Sequence, residues 1–253
     1  MNKNDLIKYC KAEEENAYIH GWDFSHIHHR YNQESLPWDY KSIVLKYLNP
    51  TMKLLDTDTG GGEFLLSLNH PAENTGATEG YAPNVLLCKE RLVPLGINFK
   101  EAADCSNLPF EDGQFDIVIN RHGNFDADEI HRILKKDGLF ITQQVGEDND
   151  RELVELMLPG TPKAFHGLNL KNQSEILKKA GFSIIEGKET FVPIRFYDIG
   201  ALVWFARIIQ WEFPDFSVDR CIDELFKAQQ ILDENGCVSG RAHRYLITAK
   251  KVI

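Results

Sequence analysis

The residues best able to do chemistry lie in one stretch, Lys53-Leu54-Leu55-Asp56-Thr57-Asp58-Thr59-Gly60-Gly61-Gly62-Glu63-Phe64-Leu65, where an apolar strand meets a glycine-rich turn that opens a helix. Consecutive glycines let the backbone approach a ligand closely and take dihedrals that a side chain forbids. The carboxylates of Asp56 and Asp58 select the ligand, because negative charge there repels a pyrophosphate and attracts a cationic nucleotide. Glu79 follows Asp56 by 23 residues and closes a second apolar run, a position from which an acid accepts hydrogen bonds from ribose hydroxyls. A dinucleotide fingerprint G-x-G-x-x-G would ask for a further glycine where Leu65 stands. After a later apolar run comes Asn120-Arg121-His122-Gly123-Asn124. Open α/β sheets place reacting groups there, so His122 is the candidate general base, with a hydrogen-bonded loop histidine as the plainer alternative.

Alternating apolar and amphipathic segments must position these residues. From about 52 to 146 the pattern is that of βαβ units around a mostly parallel sheet. It predicts strands over Met52 to Thr57, Gly76 to Glu79, Asn98 to Ala102, Phe115 to Asn120 and Leu139 to Gln144. Helices are expected over Gly62 to Asn69, Pro83 to Leu92 and Ala127 to Lys135, with Gly138 ending the last of these. Outside this core, helices are expected over Tyr40 to Leu48, Asn172 to Ala180, Ile199 to Trp211 and Val218 to Glu234. Further strands are expected over Phe182 to Ile185 and Arg244 to Ala249.

A third motif follows the second acid: Ala103-Asp104-Cys105-Ser106-Asn107-Leu108-Pro109-Phe110, then Glu111-Asp112-Gly113-Gln114-Phe115-Asp116. With Arg132-Ile133-Leu134-Lys135-Lys136-Asp137-Gly138-Leu139-Phe140, these ordered motifs over about residues 50 to 146 resemble the class I S-adenosylmethionine-dependent methyltransferases, in the group of small methyltransferase domains. The resemblance implies a doubly wound, seven-stranded, mostly parallel α/β sheet of Rossmann-like type with an antiparallel last strand. It implies S-adenosyl-L-methionine as cofactor, with Asp56, Thr57, Asp58, Gly60 and Gly62 at its methionine part, Glu79 and Gly80 at the ribose, and Asp104, Cys105 and Leu108 at the adenine. Asn120 and Arg121 would then sit near the sulfonium. The chain departs from the family where Asp58 replaces the first glycine of the turn. An Asp tolerates a left-handed backbone better than most residues, and its carboxylate can pair with the ligand's ammonium or crowd the site.

The remaining segments read as one domain over 1–253: an N-terminal cap at 1–50, the cofactor core at 51–150, and a C-terminal half with a substrate-side insertion at about 190–235. In such a family an N-terminal segment folds over the cofactor, so Trp22, His26 and Arg30 are expected at an acceptor pocket, joined by Arg195 and Tyr197 of the insertion. Packing of the cap is the alternative for the first group, and core packing for the second. The cluster His26, His28 and His29 lacks acid or cysteine partners at ligand spacing, and no metal is expected. Methyl transfer needs alignment and a dry pocket, and a base only if the acceptor must lose a proton.

Composition narrows the partners. A formal charge of −10 over 253 residues opposes broad binding to nucleic acid or anionic lipid. The expected partner is a small-molecule methyl acceptor. An RNA methyltransferase, a non-catalytic cofactor-binding relative kept in play by Asp58, and an NAD-dependent oxidoreductase are the alternatives. Five scattered cysteines with no CxxC pair point to a reducing cytoplasm. No secretory leader is read at the N-terminus, and the apolar run Ile199 to Trp211 carries Arg207 and falls short of the roughly 20 residues that span a bilayer.

Overall fold

The computed structural model describes residues 2–18 and 23–252. In chain order the elements are α1 (Lys3–Glu15), β1 (Tyr31–Gln33), α2 (Tyr40–Tyr47), β2 (Leu54–Thr57), α3 (Glu63–Ser67), β3 (Thr75–Glu79), α4 (Ala82–Arg91), β4 (Asn98–Glu101) and β5 (Phe115–Arg121). They continue with α5 (Ala127–Ile133), β6 (Leu134–Val145), α6 (Arg151–Met157), α7 (Leu170–Lys179), β7 (Phe182–Phe196), α8 (Ile199–Ile208), α9 (Ile222–Asn235) and β8 (Val238–Lys251). The chain forms two compact bodies, one of residues 37–146, 167–189 and 244–253 and one of residues 1–36, 147–166 and 190–243. Strands β7 and β8 contribute residues to both.

The first body holds the sheet, in the order β7-β8-β6-β5-β2-β3-β4. Strands β6, β5, β2, β3 and β4 pair in parallel, and β8 runs antiparallel to β6. The reason is written in the side chains. Successive strand residues point to opposite faces, and here both faces are apolar. Leu54, Ile117, Ile119, Ile141 and Leu246 pack with Val44, Leu65, Cys88 and Leu92 on one side. Their strand neighbours Leu55, Val118, Phe140, Tyr245 and Ile247 pack with Ile130, Ile133, Leu177 and Phe182 on the other. Full burial of Ile117, Val118 and Ile119 stabilises the central strand by about 1.5–3 kcal/mol each. All parallel strands therefore end on one edge, at Thr57, Glu79, Glu101 and Arg121.

The second body has its own core around α8, whose residues from Ile199 to Ala206 are buried with Leu6, Cys10, Leu153, Phe196, Phe213 and Phe216. That burial accounts for the long apolar run. Among the described residues no helix is long and apolar enough to cross a membrane. In this body β1 pairs antiparallel with the far part of β7, through Tyr31–Phe196 to Gln33–Ile194.

Several boundaries differ from the sequence expectation. Strand β7 runs on to Phe196, because Val192, Ile194 and Phe196 continue an alternation that buries every second side chain. Strand β8 begins at Val238 and not at Arg244. Helix α5 stops at Ile133, two residues early, and Gly138 lies inside β6, where the pairing with β5 shifts register between Phe115 and Ile117. A Cβ on Gly138 would lie 2.9 Å from the Lys135 carbonyl, so glycine is required by a strand irregularity and does not end a helix. Helices α1 and α6 and strand β1 were absent from the expectation. A signal for α1 exists in Asn2, whose side chain caps Asp5 N, with Leu6 and Cys10 four residues apart on the buried face.

Candidate functional site

Every residue expected to hold the cofactor belongs to the first body. Strand β2 delivers Asp56 and Thr57 to the sheet edge, and the chain then turns through Asp58 (φ 54°), Gly60 (φ 65°) and Gly62 (φ 82°) into α3. The two glycines serve different ends. A Cβ on Gly62 would meet Leu92 at 2.8 Å, so that position is closed by packing. A Cβ on Gly60 would meet nothing within 4 Å, so that stretch of backbone borders open space.

Three carboxylates surround the turn. Asp56 is buried and accepts a 2.7 Å hydrogen bond from the Thr59 hydroxyl. Burial pushes its carboxyl up to about 7; Asp58 and Glu79 add to the rise, while Thr59 and Arg121 oppose it. Burial and the Glu79 charge also raise Asp58. Glu79 is buried and binds the turn directly: Oε2 accepts from Gly60 N at 2.8 Å and Asn84 Nδ2 at 3.3 Å, and Oε1 from Gly80 N at 2.9 Å and Tyr81 N at 2.8 Å. A carboxylate has about four acceptor positions, and these donors fill them. The Cys88 thiol donates to Gly60 O, and burial beside the carboxylates pushes it up to about 12, which leaves it protonated.

The left-handed Asp58 has a partner no local reading could supply. Its Oδ2 accepts from Asn124 N at 3.1 Å, and its side chain occupies the place a Cβ on Gly123 would take, 2.4 Å from that position. Asp58 therefore ties the glycine turn to the loop after β5, which the pairing of Thr57 with Asn120 already brings alongside.

Beyond Glu79, the backbone of Gly80 presses on the segment carrying Asp104. A Cβ there would lie 2.6 Å from Ala103 Cα. Asp104 is exposed and its Oδ1 accepts from Ser106 N and Oγ, which holds its carboxyl below the usual range. Cys105 is half-buried, and its thiol is raised by burial and by Asp58, Asp104 and Asp126. Leu108 is in the core, and its N–H donates to Glu129, which Arg132 holds in turn.

At the end of β5, Asn120 is fully buried and its amide is used internally, donating to Thr57 O and Oγ1 and accepting from Gln144. Thr57 is likewise buried and partnered. Arg121 is exposed and stacks over Phe64, 4.5 Å from the ring centre. His122 takes φ 64° and its Nε2 lies 3.2 Å from Gln143 Nε2. Gln143 Oε1 accepts from the Trp38 indole at 2.8 Å. Sequence reasoning passed over Thr59, Asn84, Trp38, Gln143 and Asn124. Thr59 and Asn124 stand inside the stretches quoted above without a local signal of their roles, and Asn84, Trp38 and Gln143 lie in no motif.

The residues expected at an acceptor pocket belong to the second body, except that Trp22 lies outside the described residues. His26 Nε2 is 2.8 Å from Glu13, with its ring stacked on Trp204. Arg30 bridges Glu13 at 2.6 Å and Asp198 at 3.0 Å. Arg195 pairs with Glu34 at 2.7 Å, and Tyr197 is exposed. Glu13 thus occupies His26, and ion pairing occupies Arg30 and Arg195. Among the described residues, no group of three or more His, Cys, Asp or Glu is placed to hold a metal ion.

Comparison with known proteins follows this geometry. Residues 55–142 match the family described as methyltransferase domain. A match of 110 residues at 33% identity relates the chain to phthiotriol/phenolphthiotriol dimycocerosates methyltransferase of Mycobacterium tuberculosis, covering 41% of this chain and 40% of that one. The matched stretch is thus under half of the relative's length. Among solved structures, YcgJ of Bacillus subtilis superposes with a TM-score of 0.57 at 18% identity, over 85% of this chain and 98% of that one. The [4+2]-cyclase SpnF gives 0.52 at 17% identity over 98% and 94%. Identities this low speak for the fold alone, and the cyclase shows that the fold by itself does not name a reaction.

Proposed function

We propose, from the premise that residues 55–142 place this chain in the class I methyltransferase family, that it binds S-adenosylmethionine at the glycine turn and transfers methyl groups to a small-molecule acceptor. The observation that carries this reading is the gathering of Asp56, Asp58 and Glu79 around a turn whose Gly60 backbone borders open space. The donor set fits the group. Negative charge from Asp56, Asp58 and Glu79, with the first two raised by burial and neighbouring carboxylates, favours a ligand that brings positive charge and disfavours one that brings pyrophosphate. S-adenosylmethionine supplies an electrophilic methyl group when bound.

The chain's own part is to bind and align. The turn from Asp56 to Gly62 would hold the methionine portion, Glu79 the ribose, and the segment Asp104 to Leu108 the adenine. For Glu79 to accept from ribose hydroxyls it must release a present donor, and Asn84, at 3.3 Å, is the most weakly held. The turn is thereby coupled to the sugar, since Gly60 N shares the same carboxylate oxygen. Displacement at the methyl carbon is in line, so alignment contributes most of the catalysis and the loop after β5 supplies the acceptor side.

A metabolite acceptor agrees with the net charge of −10 and with the mycobacterial relative, whose name gives phthiotriol and phenolphthiotriol dimycocerosates as what it methylates. The thiols Cys10, Cys88, Cys105, Cys221 and Cys237 are all free, which suits a cytoplasmic setting. Isothermal titration with S-adenosylhomocysteine and with NAD tests the assignment. Binding of the first and not the second supports it; the reverse, or neither, removes it.

A further inference from the structure

The loop after β5 holds a histidine whose protonation is fixed by neighbours that no motif includes. The Trp38 indole nitrogen can only donate, so the Gln143 oxygen must face it, at 2.8 Å. The Gln143 NH₂ group then faces His122 Nε2 at 3.2 Å. A donor directed at Nε2 makes that nitrogen the acceptor, so the ring proton sits on Nδ1. Gln143 is itself buried, at 6% exposure, and cannot readily turn over. His122 also holds a left-handed backbone, φ 64°, which a β-carbon makes costly and which the surrounding structure must impose.

From this arrangement, and resting on the methyltransferase reading for the identity of the reaction, we propose that Trp38 and Gln143 are positioning residues that keep His122 a neutral Nδ1–H donor, and that the acceptor it receives presents an anionic oxygen.

Nδ1 has no hydrogen-bond partner among the described residues, so its proton is available to a ligand. Arg121, the preceding residue, adds a guanidinium that stacks over Phe64 and accepts nothing. Arg244 lies on β8, opposite Val145 of β6. Surrounding protein, with Arg244 and Arg121, pushes the imidazole pKa down. His122 is an exposed residue, and these neighbours favour its neutral form. A neutral ring with its Nε2 lone pair engaged is a poor base. The Arg121 and Arg244 charges that act on this ring favour an acceptor oxygen that arrives already ionised, as a carboxylate or an acidic enol or phenol does near neutrality. Its oxygen lone pair forms the new C–O bond as the S–CH₃ bond breaks, sulfur keeps that electron pair, and no proton is released to the protein. Opposite charges meet and cancel, a change favoured where water is excluded.

The test uses the full chain with S-adenosylhomocysteine added. Long-range proton–nitrogen NMR should show His122 as the Nδ1–H tautomer from pH 5.5 to 8, and Gln143→Leu should turn it into a tautomer mixture that titrates at higher pH. An Nε2–H ring, or native titration near 6.5, overturns the proposal. Benzoate should shift the His122 ring signals while neutral benzamide does not, with the benzoate response lost in Arg121→Gln; equal responses overturn the anionic acceptor. Failure of S-adenosylhomocysteine to bind would remove the methyltransferase reading while leaving the tautomer result standing.

Discussion

Under the proposed assignment, Asp56 makes cofactor binding a proton-linked event with a defined slope. Its carboxyl is held at about 7 by burial, with Asp58 and Glu79 adding to the effect. A ligand bringing an ammonium binds the ionised form, so binding lowers the pKa and releases a proton. With a free-state value near 7, about 76% of Asp56 is ionised at pH 7.5 and about 9% at pH 6.0. Affinity for S-adenosylhomocysteine should therefore fall about eightfold between those values, about 1.2 kcal/mol. The window stops at 7.5 because Asp56 is largely ionised beyond it and the slope flattens. Calorimetry in two buffers of different ionisation enthalpy reads both the affinity and the proton release. Asp56→Asn should bind weakly with no slope. The stability of the ligand-free protein moves the other way. Between the unfolded carboxyl value near 3.9 and the folded one near 7 the native state carries the extra proton, so this contribution is fully present at low pH and is lost as pH rises through 7. Asp56→Asn should accordingly raise Tm more at pH 8 than at pH 5. An affinity that holds or improves on acidification, or a native slope retained in Asp56→Asn, would refute the reasoning.

Other outcomes follow from single contacts. Glu79→Gln puts an N–H donor against backbone N–H groups; S-adenosylhomocysteine binding should be lost, and the amides of Gly60, Gly80 and Tyr81 should exchange with solvent faster, reflecting the loss of charged hydrogen bonds worth about 1.5–3 kcal/mol each. Gly123→Ala drives a methyl into Asp58 and should cost about 1–3 kcal/mol in urea unfolding, with much of that recovered when Asp58→Gly is added; strict additivity in the double-mutant cycle would show that the two do not touch. Glu129→Ala removes the partner of Arg132 and of Leu108 N, and calorimetric Tm should drop by about 4–8 °C for a loss near 2 kcal/mol.

How far the sequence could be read depended on how local the cause was. Strand β2, the glycine turn, α3 and the acid at Glu79 were legible because hydrophobic runs, glycine dihedrals and a spacing of 23 residues are properties of the chain itself. The two-faced burial of the sheet was legible for the same reason. Strand β7 was read ten residues or more too short, since the alternation after Gly187 looks like a polar loop until β8 and β1 supply its neighbours. Gly138 was assigned to a helix end because a glycine after lysines has that local meaning; the register shift that needs it exists only once β5 pairs with β6.

The same division governs the site. Residue types alone pointed to a cationic nucleoside as the ligand proposed for a turn lined by Asp56, Asp58 and Glu79, because charge and glycine freedom travel with the residues. Folding decided the rest. The buried setting that lifts Asp56, the Gly60 N–H that Glu79 accepts, the fit of Asp58 against Gly123, and the Trp38–Gln143–His122 series all join residues far apart in the chain. Dielectric surroundings and hydrogen-bond partners are properties of a packed volume, and a sequence contains that volume only after its strands have found their register.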